Sequence, residues 1–479
     1  MVRVVVATLA CAVCAAAVAS TSSAGKVATY STPTTLPLRT AVLDPILFLG
    51  PQAAQAFTVT RAAGATYVRL SAVWAQLAPG IPAPGFDDSN PDSPGYNWTP
   101  LDVQVEDAER AGLQPILDIG KTPGWALVTP VTGLDGGTPQ LAALGAFAHA
   151  LAAHYKGNDG VPAVHVFQVW NEPNLSRDLS PVDPATYRAM VNTVAAAVHQ
   201  VDSRDLVVAG ALDPFENHTS QWHTMAPLAF MRQMLCVSAG AHPHATCTSQ
   251  AHFDVWSHHP YTFGGPFGKA RLPDDVSLGD LPKMAGVLHA ATRLHHVVSS
   301  DHIQFWVTEF ALDTDPPRQH HTLSLALQAR AVDESFHQMW LSGVSLATWF
   351  LLQDEPLTTP YQCGFYYYGP PIASAKAKPS LIAFRFPFVA YLDGGSVSVW
   401  GRDGTSTSVP VTVQLRSGVH GAWTTVAVIR ANQFGIFEAA IPLSAAKSDW
   451  LRAVAPGSGA SLPFSLTRPH YPHWGPWGR

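Results

Sequence analysis

Charge is scarce in this chain. Asp, Glu, Lys and Arg together make up 13% of its 479 residues, and the formal net charge of −6 comes from scattered positions. It has no Lys/Arg-rich run, so it lacks the electrostatic footprint that nucleic acid or an anionic membrane surface requires. Cysteine is scarce as well, with 5 in all, and their spacing matches no zinc site. Beyond the first 20 residues or so, no uncharged stretch approaches the roughly 20 apolar residues that cross a bilayer. No membrane anchor is therefore expected. Three motifs are also missing: a Gly-x-Ser-x-Gly elbow, a His-Glu-x-x-His helix and a phosphate-binding Gly-rich loop. Their absence takes support from serine-hydrolase, metallopeptidase and nucleotide-binding readings, and no metal or organic cofactor is expected.

Apolar mass, by contrast, is plentiful. Hydrophobic residues make up 47% of the chain, enough for a core larger than that of one ordinary domain. The N-terminus has the pattern of a secretory signal over residues 1–24. Arg3 supplies the positive start, Val4 to Val18 the apolar run, and Ala17-Val18-Ala19 or Ser22-Ser23-Ala24 a small-residue cleavage site. Secretion is the expectation. Neither Cys11 nor Cys14 follows a lipoprotein pattern, because apolar residues continue after both. Cutting the signal leaves Cys236, Cys247 and Cys363. In an oxidising compartment Cys236 and Cys247 could close a short loop, with Cys363 as the odd thiol or as the true partner of one of them.

From about residue 40 to residue 389, short apolar runs alternate with helical patterns. The runs are Ala41 to Leu43, Tyr67 to Leu70, Pro115 to Ile119, Val164 to Val169, Leu206 to Gly210, Phe253 to Trp256, Ile303 to Val307 and Val344 to Phe350. Helical patterns are clearest at Ala142 to His154, Pro184 to Val201, Asp280 to Val297 and Leu325 to Leu341, and Asp183-Pro184 makes a good helix start. Eight such units predict an α/β fold, a (β/α)8 TIM barrel whose chemistry sits on the loops after the strands. Over residues 390–468 the texture changes. Val397 to Trp400, Val411 to Leu415, Trp423 to Ile429, Gly435 to Ile441 and Ser461 to Leu466 alternate between Gly, Ser, Asn and Pro breaks, the pattern of a small C-terminal β-sandwich. Residues 25–39, within a Ser/Thr/Pro-rich lead, are expected to be disordered, and 469–479 to be a tail. Trp400, Trp423 and Trp450 suit a dry contact between sandwich and barrel. A mainly structural domain is expected, in preference to a sugar-binding module on a tether.

Two of the strand runs end in a glutamate. Val169-Trp170-Asn171-Glu172-Pro173-Asn174 follows the fourth, and Trp306-Val307-Thr308-Glu309-Phe310 completes the seventh. A carboxylate there is half desolvated where core gives way to loop. Two of them brought face to face are the minimal equipment for cleaving a glycosidic bond.

The pair resembles the catalytic pair of glycoside hydrolase clan A, retaining glycosidases on TIM barrels with an Asn-Glu-Pro after strand four and a glutamate ending strand seven. Thr122-Pro123-Gly124-Trp125-Ala126 and Trp306-Val307-Thr308-Glu309 are similar to both family 5 and family 39, the cellulase-like members, and do not choose between them. The resemblance implies that Glu172 is the acid/base, Glu309 the nucleophile and Asn171 the partner of the substrate 2-hydroxyl. Arg69, ending the second strand, matches the arginine that the clan places against the nucleophile. His259-Pro260-Tyr261 resembles the His-x-Tyr element, with Tyr261 bonding the nucleophile and His259 near the acid/base. Trp349 looks like the sugar-stacking tryptophan at the end of strand eight, and Trp125, with Trp74, would extend the platform.

The reading that follows is a secreted, monomeric hydrolase of O-glycosyl bonds in a β-linked saccharide or glycoside, its partner a carbohydrate substrate. A neutral, polar ligand suits the low surface charge. The alternative is a secreted, non-catalytic carbohydrate-binding protein on a retired barrel. Asn174 opens a glycosylation sequon but lies in the Asn-Glu-Pro motif, where no glycan is expected.

Overall fold

The computed structural model describes residues 27–34, 36–129, 136–158, 160–218, 222–317, 322–404 and 408–472. The expected signal at 1–24 and the end of the tail lie outside them. Eight βα units follow in order: β1 (Arg39–Leu43), α1 (Ala53–Ala62), β2 (Tyr67–Val73), α2 (Thr99–Arg110), β3 (Gln114–Gly120), α3 (Leu141–His154), β4 (Val166–Val169), α4 (Pro184–Val201), β5 (Leu206–Leu212), α5 (Pro227–Met234), β6 (Val255–His258), α6 (Leu281–Arg293), β7 (Gln304–Val307), α7 (Leu325–Leu341), β8 (Val344–Phe350) and α8 (Ser380–Arg385). All neighbouring strands are parallel, and β8 pairs with β1 to close the barrel. All eight strands anticipated from the apolar runs are present. At α4 the Asp183 carboxylate accepts from the Ala185 and Thr186 amides at 3.3 and 2.9 Å, the N-cap that the sequence indicates.

Side-chain alternation divides the barrel interior into layers. Ala41, Tyr67, Ile116, Val166, Val208, Val255, Trp306 and Leu346, one from each strand, form a dry cluster. Two residues on, the same faces become polar: Arg69, Asp118, Gln168, Ser257, Thr308 and Thr348 are all buried. The apolar plug seals the floor, and the polar layer supports whatever sits on the loops above it.

Close approach at one point fixes a residue type. Gly210 in β5 has φ of +96°, and a Cβ there would fall 2.3 Å from the Ser257 carbonyl oxygen of β6. Only glycine lets the two strands meet where the register shifts between Ser257 and His258.

Beyond α8 a three-stranded antiparallel sheet, β9 (Phe388–Asp393), β10 (Ser396–Arg402) and β13 (Ile436–Pro442), accompanies a second sheet built on β11 (Pro410–Arg416), β12 (Thr424–Arg430) and β14 (Trp450–Ala455). One expectation is corrected here. Residues 25–39 contain a strand, Ala28–Ser31, which pairs in parallel with β12 and forms an edge of the second sheet. The Asn432 side-chain amide donates to the Thr34 carbonyl at 2.9 Å and the Glu438 amide to the Thr32 hydroxyl at 3.1 Å. Those partners lie about 400 residues away in the chain, so local composition could not reveal them. Cys236 and Cys247 are joined as a disulfide, and Cys363 is a buried free thiol. Among the described residues no helix is long and apolar enough to cross a membrane.

The barrel and the sandwich meet along α7. Trp400 packs on Trp340 and His337, with ring centroids 5.6 and 5.1 Å apart. The Arg330 guanidinium lies over Phe464 and donates to the Ser465 carbonyl at 2.6 Å. Trp423 and Trp450 do not join this contact. They are half exposed and interleave with Arg416 and Arg452 on the sandwich itself. Deleting residues 390–479 would bare the apolar flank of α7, and the truncated barrel is expected to aggregate. Trp400→Ala should cost about 3–5 kcal/mol, read as a lower melting temperature. A truncated barrel that is soluble and melts like the full chain would overturn this view.

Candidate active site

Glu172 and Glu309 meet at the C-terminal mouth of the barrel. The chain after β4 turns sharply, with Trp170 and Glu172 at φ of 70° and 43°, left-handed values that cost non-glycine residues about 1–3 kcal/mol each. The turn is held from several sides. The Trp170 indole donates to the Asp178 carbonyl at 2.7 Å, and the Glu172 amide donates to the Ala211 carbonyl at 3.0 Å. The Tyr187 hydroxyl bonds the Val169 carbonyl at 2.7 Å. An oxygen of Glu172, an oxygen of Glu309 and a ring nitrogen of His259 all lie within 4.8 Å of one another.

The two carboxyls have opposite surroundings. Glu309 Oε2 accepts from Arg69 Nη1 at 3.0 Å and Oε1 from the Tyr261 hydroxyl at 2.7 Å. Burial alone would raise its pKa, but the His259 ring, Arg69 and Tyr261 outweigh it and hold Glu309 below the ordinary glutamate value. Glu172 sits in a drier place beside a second acid. Burial first, then the charges of Glu309 and Asp178, push it up to about 8, against the pull of Arg177. Around neutral pH one carboxyl therefore holds a proton and the other does not.

Arg69 ties the floor together. Its Nη2 donates to Asp118 Oδ2 at 2.8 Å and to Asn171 Oδ1 at 2.7 Å, while Gln168 Nε2 donates to the other Asp118 oxygen at 3.0 Å. His259 Nδ1 lies 3.0 Å from Glu172 Oε1, and burial pushes the ring down to about 4, so it is neutral at pH 7. His258 turns instead to the Val276 carbonyl at 2.8 Å. Glu172, His259 and Glu309 present donor atoms that a metal could bridge. Arg69 and Tyr261 already occupy Glu309, so a cation would have to displace them.

Six of the eight site residues named from the sequence come together: Glu172, Glu309, Arg69, Asn171, His259 and Tyr261. Two do not. Trp349 is 1% exposed, donates its indole N–H to the Cys363 carbonyl at 3.0 Å and stacks on Phe365. Strand alternation turns it towards the helices, so it offers no face to a ligand in the mouth. The next residue, Phe350, faces inward and clusters with Tyr261, Ala311 and Cys363, edge-on to Tyr361 at 5.3 Å. Trp125 is half buried, hydrogen-bonded to the Pro79 carbonyl and packed edge-on to Trp74 and Phe86. No contact joins it to the carboxylates. Trp74 itself is core, stacked on Phe147. Asn174 is also core: its side-chain amide donates to the Asp213 and Met225 carbonyls, so this sequon nitrogen is engaged.

Other residues at the site were not singled out from the sequence. Asp118 carried a signal, a lone acid inside an apolar strand run. Arg177 and Asp178 did not: they lie five and six residues beyond Glu172 in a polar loop, yet Arg177 Nη2 is 3.2 Å from Glu172 Oε2. Asp213, after β5, is pushed up to about 8 by burial and by the charge of Glu172. Burial, then the charge of Glu309, raises the pKa of the Tyr361 hydroxyl while Arg177 lowers it, so Tyr361 lies near both charges.

Carbon-13 NMR with side-chain-labelled glutamate tests the electrostatics without any substrate. One resonance should titrate near pH 8 and vanish in Glu172→Gln. Tyr261→Phe removes a donor that favours ionised Glu309, so the Glu309 midpoint should rise. Two midpoints both near 4.5 would contradict the opposed surroundings.

By sequence, no family model and no curated protein matches the chain. Its structure is similar to that of a family 39 glycoside hydrolase from Bacteroides cellulosilyticus WH2, at 15% identity and a TM-score of 0.51, covering 88% of this chain and 81% of that one. A monomeric β-xylosidase from Caulobacter crescentus CB15 aligns at 15% identity and 0.52, covering 89% and 98%. A family 39 enzyme from Xanthomonas axonopodis pv. citri aligns at 16% and 0.51, covering 89% and 96%. The chain thus has the barrel-and-sandwich fold of the family 39 glycoside hydrolases of clan A.

Proposed function

We propose that the protein is a secreted retaining glycoside hydrolase that cleaves a β-linked saccharide or glycoside and acts as a monomer. The observation that carries this reading is that one carboxyl oxygen of Glu172 and one of Glu309 lie within 4.8 Å of each other. Retaining glycosidases need their carboxyls about 5–5.5 Å apart, whereas inverting ones leave about 6.5–9.5 Å for a water. The fold shared with the family 39 enzymes supports the reading, and so does the presence of both carboxyls, which a retired barrel would not need. The Cys236–Cys247 disulfide is consistent with an oxidising compartment.

In the first step a Glu309 oxygen bonds to the anomeric carbon as the glycosidic C–O bond breaks. The leaving oxygen takes its electron pair and the proton held on Glu172. Arg69 and Tyr261 keep Glu309 ionised until it attacks. In the second step a water oxygen attacks the anomeric carbon, Glu172 takes the water proton, and the bond to Glu309 breaks, releasing a sugar of retained configuration. Asn171, fixed by Arg69, is placed to bond the sugar hydroxyl next to the anomeric carbon. Phe350 and Tyr361 replace Trp349 as the aromatic wall.

A panel of aryl β-glycosides first finds the sugar. Glu309→Gly should then lose nearly all turnover, and added azide should give a product of inverted configuration. Glu172→Ala should lose about 10²–10⁴-fold on unactivated substrates but little on a dinitrophenyl glycoside, whose leaving group needs no proton. Azide should there give the retained product. If the two variants respond alike to leaving group and azide, the roles are wrongly assigned.

A further inference from the structure

A general acid is poorly served by a guanidinium at its side, yet Arg177 stands 3.2 Å from Glu172 Oε2. A cation favours the ionised carboxyl, the form that has no proton to give. Oε1 of Glu172 is turned onto His259, which solvent does not reach. A leaving oxygen therefore has to meet Glu172 on the side that Arg177 guards.

Arg177 is 43% exposed and lies 5.8 Å from the centre of the Trp222 ring. Its Nε and Nη2 also reach Asp178 Oδ2 at 3.3 and 3.1 Å, while Asp178 Oδ1 takes the Lys121 ammonium at 2.8 Å, 60% exposed. With Glu172 protonated, two cations here face one carboxylate. This rim carries a local surplus of positive charge in a chain whose net charge is −6.

We infer that the leaving-group side of the cleft recognises an anionic group, a carboxylate or a sulfate, on the unit beyond the scissile bond, so that the natural substrate is an acidic glycan. The inference rests on the hydrolysis proposed above, and it revises the expectation of a neutral ligand drawn from overall composition. A guanidinium fork matches either anion with two parallel hydrogen bonds, and Lys121 adds a point charge. Engaging the anion draws Arg177 off Glu172, which frees the acid's outer oxygen and favours its proton. Recognition and protonation are thereby coupled through one side chain.

The test uses the full-length protein and aryl β-glycosides of the sugar found by the panel. They differ only in whether the phenyl leaving group bears a carboxylate, a sulfate or a neutral amide, with leaving-group acidity matched. The anionic members should show kcat/KM about tenfold higher or more at low ionic strength, chiefly through KM, and the two anions separate carboxylate from sulfate preference. The preference should collapse towards one in Arg177→Gln, fall in Lys121→Gln and survive in part in Arg177→Lys. With the neutral member, the alkaline limb should move to higher pH in Arg177→Gln, because a cation has left Glu172. Equal turnover of anionic and neutral members by the parent protein would overturn the inference and leave the hydrolysis standing. A preference undiminished in Arg177→Gln and Lys121→Gln would overturn the assignment to these residues. No turnover of any aryl glycoside would overturn the hydrolysis and this inference together.

Discussion

The site depends on a buried cation. Arg69 is 3% exposed at the floor of the barrel mouth, where an unmatched charge would be untenable. Its guanidinium is answered by Asp118 and Glu309 and oriented further by Asn171. Those partners come from three other strands or strand ends, so the closure of the barrel and the charge state of Glu309 are one problem with one solution. An ionised carboxylate is stable there because an arginine cannot be deprotonated. The polar layer exists to seat that arginine, and the apolar layer below it keeps water from relieving the electrostatics.

The asymmetry between the two glutamates follows from position. Glu309 lies two residues beyond β7 and inherits the donors of the floor. Glu172 stands on a backbone held in left-handed conformation, bonded to the buried His259 and beside the charges of Glu309 and Asp178. The same residue type is thereby given two proton affinities, the general device by which paired carboxyls divide acid and base work. Arg177, partly exposed, pulls Glu172 the other way, which is why the proposed recognition is placed there.

The sandwich is bound into the same construction. α7, which packs outside β8, presents Arg330, His337 and Trp340 to it, and Ala28–Ser31, ahead of the barrel, pairs into the second sheet. The strand paired with β7 is thus backed by a helix whose outer face is covered by another domain. Such backing suits a pair of carboxyls whose proposed roles depend on their separation.

Much of this was readable in the sequence, for an identifiable reason. Eight apolar runs spaced by helical patterns set the barrel, because each pattern is local and its period belongs to one kind of element. Glu172 and Glu309 were legible because strand ends in a barrel converge on one mouth, so position in the unit implies position in space, while Arg69, His259 and Tyr261 were legible through their resemblance to clan A elements. What failed was whatever depends on a partner distant in sequence or on a shift of one residue. Trp349 and Phe350 are adjacent aromatics at the end of β8, and composition cannot tell which faces inward; only the register of the closed sheet decides it. Arg177 lies in a loop with no period, and its approach to Glu172 is set by the folding of that loop over the mouth. Ala28–Ser31 has too few apolar residues to signal a strand and becomes one because β12, about 400 residues later, offers it an open edge. The sequence alone determined the elements and the chemistry they carry. Tertiary structure alone decided which faces meet, because side-chain direction and long-range pairing are properties of the closed barrel and the paired sheets, with no counterpart in any local run of residues.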